Sequence, residues 1–213
     1  MAGRRGAVLP INFGGLGFLT AAEGQNLDAA VDAALRGTWD VTTRSVVRAG
    51  LVRRGRTIRR GLALNDAVIK GAGGYAAIHL RLFCADQDLG HLVADGLIAA
   101  TAAGSTAYSL SAGGPLMSPD VEAMIVTPVC AHSLGSRSLV LDPETDLLVR
   151  VIGSFDRIQL LLDGQDRIDL QAKDEVRVRL QTQAVRVFVN PGQPFTNALR
   201  AKLGWQGSAR RSM

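Results

Sequence analysis

The chain has 213 residues, is 47% hydrophobic and only 5% aromatic, and carries a formal charge of +5. That is enough apolar material for one large packed domain or one and a fraction, and no apolar run approaches the roughly 20 residues that a bilayer-crossing helix needs. Ala7-Val-Leu-Pro-Ile11 is too short and too proline-broken for a signal-peptide core; Cys84 and Cys130, 46 residues apart and without a C-x-x-C, read as buried thiols of a reducing compartment, so a cytoplasmic protein is expected.

Val8 to Phe13 predicts a short parallel-type strand. Asn26 to Leu35 carries Leu27, Val31, Ala34 and Leu35 at helical spacing and stops before Gly37, which predicts a helix with a glycine just past its end. After Thr38 the period changes to two. Val41–Val52, Thr57–Ile69, Tyr75–Cys84, Asp86–Leu92, Ile125–Val129, Asp146–Val151, Arg157–Leu162, Asp166–Leu170, Glu175–Leu180 and Val185–Val189 alternate or run apolar between Gly, Asp or Lys-Asp turns. About ten short strands at this spacing predict a β-sandwich-like domain. Thr196–Leu203 predicts a closing helix held down by Trp205, and Gln206–Met213 a frayed basic tail.

Between Val41 and Arg60 lie seven arginines and no acid. Without interleaved aromatics or a recognition motif they do not argue for nucleic acid. Two readings stay open: an arginine-rich solvated strand face, and a field that attracts a polyanionic nucleotide.

The stretch richest in chemistry is Gly104-Ser-Thr-Ala-Tyr-Ser-Leu-Ser-Ala-Gly-Gly114, which follows the apolar run Gly96–Ala100, read as a short buried strand with Asp95 at its start. Such a loop exposes backbone N–H groups and hydroxyls, as phosphates, ribose or a base edge require, and a helix beginning near Ala107 would place the glycine turn at its N-terminus. An ordinary Gly/Ser turn is the bland alternative, but the full string is far less common than that. Asn65-Asp66 taken alone is a turn, and Asp163-Gly164 is a type I′ hairpin signal. His79, His91 and His132 have no metal-site spacing, and no Walker-type loop or Ser-His-Asp set is present, so no metal ligands are assigned.

Five segments, in one order, resemble the bacterial NAD kinase family: Asn12-Phe-Gly-Gly-Leu-Gly-Phe-Leu-Thr20, Leu62-Ala-Leu-Asn-Asp66, Asp95 through Pro115, Thr127-Pro-Val-Cys-Ala-His-Ser-Leu134 and Lys202-Leu-Gly-Trp205. Together they span essentially the whole chain. The resemblance implies an α+β protein: residues 1–37 as a remnant of the N-terminal α/β nucleotide-binding domain, 38–195 as the β-rich, sandwich-like C-terminal domain that binds NAD and oligomerises, and 196–213 as a C-terminal helix and tail. It implies transfer of the γ-phosphoryl of ATP, or of polyphosphate, to the 2′-hydroxyl of the adenosine ribose of NAD, with magnesium, in a homodimer or homotetramer.

The same resemblance places NAD contacts at Asn65 and Asp66, at Thr106, Ala107, Tyr108, Ser109 and Ser111, at Asp95 towards the nicotinamide end, and at Asp163 and Gln165. Several positions depart from the family pattern: Asp66 stands for its glutamate, Ala102-Ala103 for proline plus Thr/Ser, and Val93 for an arginine before Asp95. The family's G-G-D-G, whose aspartate is the general base, does not occur. Either the base has been lost or Met1 is internal to a longer protein; the second is favoured, and the 213-residue chain is expected to be inactive. The alternatives from other classes are a non-catalytic NAD(P)-binding or oligomerisation module and a lipid or diacylglycerol-type kinase relative.

Overall fold

The computed structural model describes residues 6–14, 17–73, 77–154 and 156–204. Tyr75, Trp205 and the basic tail, which carried expectations above, lie outside them. The chain divides into two compact units, Met1–Arg44 with Ala184–Met213, and Ser45–Gln183. The expected boundaries at 37/38 and 195/196 therefore differ from those observed. The observed ones fall inside two long strands, Asp40–Arg53 and Glu175–Val189.

In the smaller unit β1 (Ile11–Asn12) pairs in parallel with β2 (Ala22–Glu23), and α1 (Leu27–Leu35) follows. Asp28 in the first turn suits the positive end of the helix dipole, and Gly37, at φ +69°, follows the helix end in the left-handed region that favours glycine. The strand expected over Val8–Phe13 shrinks to β1 and an isolated parallel bridge from Val8 to Val187.

The larger unit is a sandwich of two sheets. Its strands are β3 (Asp40–Arg53), β4 (Arg56–Ala63), β5 (Asp66–Gly71), β6 (Ile78–Cys84), β7 (Gln87–Ala94), β8 (Gly96–Ala100), β9 (Met124–Val129), β10 (Leu139–Leu141), β11 (Leu147–Ser154), β12 (Ile158–Leu162), β13 (Asp166–Leu170) and β14 (Glu175–Val189). Sheet I has the order β4-β3-β14-β11-β6-β7 and sheet II the order β10-β9-β8-β5-β12-β13. Alternate side chains of each strand meet between them: Val47, Ala49, Leu80, Val149 and Val178 from sheet I face Ala67, Ile69, Leu97, Val126 and Leu160 from sheet II. Leu160 is fully buried there, so Leu160→Ala would cost about 2–5 kcal/mol.

Sheet II is covered on its other face as well. Val68, Ile98, Ala100 and Ile125 point outward and are packed under Ala102, Met117 and Ala123 of the segment between β8 and β9. All five residues of β8 are consequently buried, which is why its sequence runs apolar without alternating.

Four expectations need correction. Thr57–Ile69 is two strands, broken at Leu64-Asn65, and the pair expected over Glu175–Val189 is one continuous strand. The helix expected from Ala107 is a short 3-10 turn, Ala103–Thr106, followed by α2 (Tyr108–Ser111), only four residues long. No helix long enough to aim a dipole at an anion stands there. Finally, Cys130 is exposed and Cys84 half-buried, so the thiols are not core residues.

The closing helix α3 (Phe195–Leu203) belongs to the smaller unit, where Phe195 meets Phe18 at 6.2 Å between ring centres and Lys202 lies 5.0 Å over the same Phe18 ring.

Candidate functional site

Leu64 and Asn65 carry the chain from β4 in sheet I to β5 in sheet II. This corner is held from both sides. The Asp163 carboxylate accepts the backbone N–H groups of Leu64 and Asn65 at 2.7 Å each and that of Asp66 at 3.2 Å. On the carbonyl side, Thr101 donates its N–H to Asn65 O at 2.9 Å and its hydroxyl to Leu64 O at 2.7 Å. The corner's backbone thus has no polar group left to compete for solvent. Hydrogen bonds to a charged acceptor contribute about 1.5–3 kcal/mol each, so Asp163 is a strong clamp. It sits at φ +48° with Gly164 at +69°, the two left-handed residues of a type I′ turn joining β12 to β13. The hairpin expected from Asp-Gly is there, and it presents the carboxylate to the corner.

Beside the corner lies a hollow of about 330 Å3 on the outer face of sheet II. Its floor is set by the two-residue period: Ala67 and Ile69 point into the sandwich, so Asp66, Val68 and Lys70 of β5 point out, joined by Leu161, the partner of Val68 on β12. Asn65 and the Asp163-Gly164 turn close one end, and Ala107 and Tyr108 form a wall. Tyr108 is 41% exposed, which removes it from the core. The Asn65 side-chain amide has no hydrogen-bond partner among the described residues. The result is an apolar floor, an aromatic wall, and an amide and a carboxyl at one end. Such a hollow suits a planar heterocycle attached to a hydroxylated ring, at the small end of the roughly 300–1,000 Å3 range of ligand sites.

Asp66 is 5% exposed and its carboxyl is pushed up to about 6, first by burial and second by the nearby charge of Asp163. A carboxyl poised near neutrality can accept from a ligand hydroxyl when ionised or donate when protonated.

The glycine–hydroxyl string turns out to work largely as a brace. Ser105 Oγ donates to Ala102 O at 2.6 Å and accepts from Met117 N at 3.1 Å; Ser109 Oγ and Thr127 Oγ1 share a buried bond of 3.0 Å; Thr106 Oγ1 donates to Ala103 O at 3.0 Å. At Gly104 an added Cβ would lie 2.0 Å from Asn65 O, so only glycine lets this segment press against the corner. These contacts fix Ala107 and Tyr108 beside Asn65 and Asp66.

Of the ten sequence-assigned positions, Asn65, Asp66, Ala107, Tyr108 and Asp163 meet at the hollow. Thr106 borders it in sequence but spends its hydroxyl locally, Ser109 is fully buried against Thr127, and Ser111 and Gln165 are exposed away from the lining. Asp95 is exposed at the opposite end of β5 and β8: Asp66 pairs with Ala100, while Asp95 precedes Gly96, the partner of Lys70. At about 3.3 Å per residue that separation is roughly 15 Å. Sequence reasoning missed Thr101, Val68, Lys70 and Leu161. The last three were reachable from the alternation of β5 and β12 once one face was known to be internal; Thr101 carried no signal beyond its place at the end of an apolar run. Among the described residues no group of three His, Cys, Asp or Glu could hold a metal ion.

Comparison with known proteins shows the family. The family model described as the ATP-NAD kinase C-terminal domain matches residues 64–189, beginning at the corner itself. NAD kinase of Desulforamulus reducens is 36% identical over 200 residues, covering 93% of this chain and 69% of that protein. NAD kinase of Symbiobacterium thermophilum is 40% identical over 196 residues, covering 92% and 69%. Among solved structures, yeast NADH kinase complexed with NADH superposes with a TM-score of 0.86 at 27% identity, covering 97% of this chain and 61% of that one. The sandwich, the corner clamped between Thr101 and Asp163, and these matches along nearly the full length lead to one conclusion: the chain belongs to the NAD kinase family.

Proposed function

We propose that the hollow beside Asn65 and Asp66 receives the adenosine part of NAD, for phosphorylation of its ribose 2′-hydroxyl by ATP or polyphosphate to give NADP. The carrying observation is the convergence of three separate sequence segments, Asn65-Asp66, Ala107-Tyr108 and Asp163-Gly164, on one 330 Å3 hollow. In this reading the Asn65 amide pairs with a polar edge of adenine, Tyr108 and the Val68–Leu161 floor pack against the ring, and Asp66 holds ribose hydroxyls. Aspartate reaches one methylene less than the family's glutamate, so the ribose lies closer to β5. Asp163 acts through the corner and touches no ligand. Asp95, far along the sheet, takes no part in the adenosine hollow and is left for the nicotinamide end. Magnesium enters on the donor's phosphates. A cytoplasmic homo-oligomer is part of the same proposal.

Phosphoryl transfer needs positioning, charge neutralisation and a base for the hydroxyl. The sequence contains no G-G-D-G. The 213-residue chain should therefore bind NAD and form NADP only at background, since loss of a general base costs about 10²–10⁴-fold. The test is NAD titration by calorimetry beside an NADP assay with ATP and magnesium. Binding without turnover is expected; no NAD binding would overturn the site, and robust turnover would hand the base role to Asp66.

A further inference from the structure

The opposite outer face of the sandwich carries a second hollow, of about 360 Å3, lined by Arg48, Gly50, Thr57, Arg60, Arg177 and Arg179 among others. Its position follows from the strand period. Val47, Ala49 and Leu51 point into the core, so Arg48 and Gly50 point out; Arg60 is the ladder partner of Gly50; Val176 and Val178 point in, so Arg177 and Arg179 point out. Three strands of sheet I thus aim four guanidinium groups at one concavity. Their own contacts leave most of that charge uncompensated. Arg179 pairs with Asp146, but Arg48 donates to the neutral Gln181 at 2.6 Å, Arg60 to the Thr57 hydroxyl at 3.4 Å, and Arg177 has no hydrogen-bond or ion-pair partner among the described residues. Gly50 keeps the floor low: an added Cβ would press on the Arg60 stem at 3.2 Å.

Three guanidinium groups without acids, converging on a hollow of this size, form a polyanion site rather than a salt-bridge network. We propose that this hollow binds a compact oligophosphate anion of two or three linked phosphates, either free or as the tail of a nucleotide. Planar guanidinium forks match phosphate oxygens two at a time, and three uncompensated cations match the charge of such a chain. No aromatic residue lines the hollow, so it offers no stacking surface to the bases of a nucleic acid strand. It lies across the full thickness of the sandwich from the adenosine hollow, so the two sites are separate and this inference does not rest on that reading.

The experiment titrates sodium tripolyphosphate by calorimetry, in metal-free buffer at moderate salt, into the 213-residue protein and into its Arg48→Gln/Arg177→Gln double variant. Orthophosphate, NAD-saturated ATP titration and a short DNA duplex form the other arms. Tripolyphosphate should bind at least about ten-fold more tightly than orthophosphate and weaken by about ten-fold or more in the double variant, with the melting curve and NAD affinity unchanged. Arg177→Lys, which keeps the charge but loses the fork, should fall between the two. ATP binding as tightly as tripolyphosphate would identify a nucleotide tail as the source; weaker ATP binding would identify the free anion. No tripolyphosphate binding, equal binding by the double variant, or preference for the DNA duplex would overturn the proposal.

Discussion

The two outward faces of the sandwich start from the same two-residue period and end in opposite chemistry. On sheet II Val68 of β5, Ile98 and Ala100 of β8 and Ile125 of β9 put apolar side chains outward, so a further segment, residues 101–123, has to cover them. That cover leaves a gap at the corner, and the gap becomes a lined hollow with a buried carboxyl. On sheet I four outward side chains of β3, β4 and β14, those of Arg48, Arg60, Arg177 and Arg179, are arginines that stay exposed to solvent. A face that must be capped can build a specific pocket at the edge of its cap. A face that is charged can only offer a field and a set of forks. This contrast predicts recognition on sheet II that depends on the fit of the cap, and salt-sensitive binding on sheet I that does not.

The sharpest way to break the comparison is to disturb the fit of the cap. Gly104→Ala puts a methyl 2.0 Å from Asn65 O, a clash with backbone that no rotamer relieves, and should cost about 3 kcal/mol of stability and most of the NAD affinity. Urea unfolding and an NAD titration would check it; a fold and affinity like those of the unmodified protein would mean that cap and corner are not rigidly coupled. Asp163→Ala should come next. It strands three N–H groups that are now bound by a carboxylate, at about 2–3 kcal/mol, and it should weaken NAD binding although Asp163 lies outside the proposed ligand contacts.

Acidity offers a third test. Asp66 is pushed up to about 6, whereas an unfolded Asp titrates near 4. Between those values the native state holds a proton that the unfolded state has lost, so this residue's contribution to stability falls as pH rises from about 4 to 6 and is level above. Two units correspond to about 3 kcal/mol at most, read as the pH dependence of the difference in unfolding free energy between the unmodified protein and Asp66→Asn. A flat difference would place Asp66 in water. The smallest effect is Tyr108→Phe: if the ring packs against adenine, losing the hydroxyl should change NAD affinity by less than about three-fold, or roughly 0.6 kcal/mol.

Strand periodicity made the sandwich legible, and five ordered segments made the family legible. What stayed hidden was the direction of polar groups. Thr57–Ile69 alternates straight through Leu64-Asn65, and only the capture of that corner by Thr101 and Asp163 shows it to be a break. Conversely Gln181-Thr-Gln-Ala184, expected to separate two strands, holds no glycine, proline, asparagine or aspartate, and the strand runs through it, with Gln183 at φ +49°. The hydroxyls of the glycine-rich string looked like ligand contacts because sequence cannot tell a serine aimed at a nucleotide from one aimed at Thr127, 18 positions away. Asp163 was found by its motif, but its work as a clamp appears only when its three donors are in view.

The central claim is that NAD is recognised on the capped face and not on the arginine face. NAD titration of Asn65→Ala and Arg177→Gln, each with a melting curve, tests it directly. Asn65→Ala should leave a buried polar edge of the ligand unpaired, at about 1–3 kcal/mol or roughly ten- to over a hundred-fold in affinity, with the melting temperature nearly unmoved, while Arg177→Gln should bind NAD like the unmodified protein. Unchanged affinity in Asn65→Ala, or a loss in Arg177→Gln, would contradict the account.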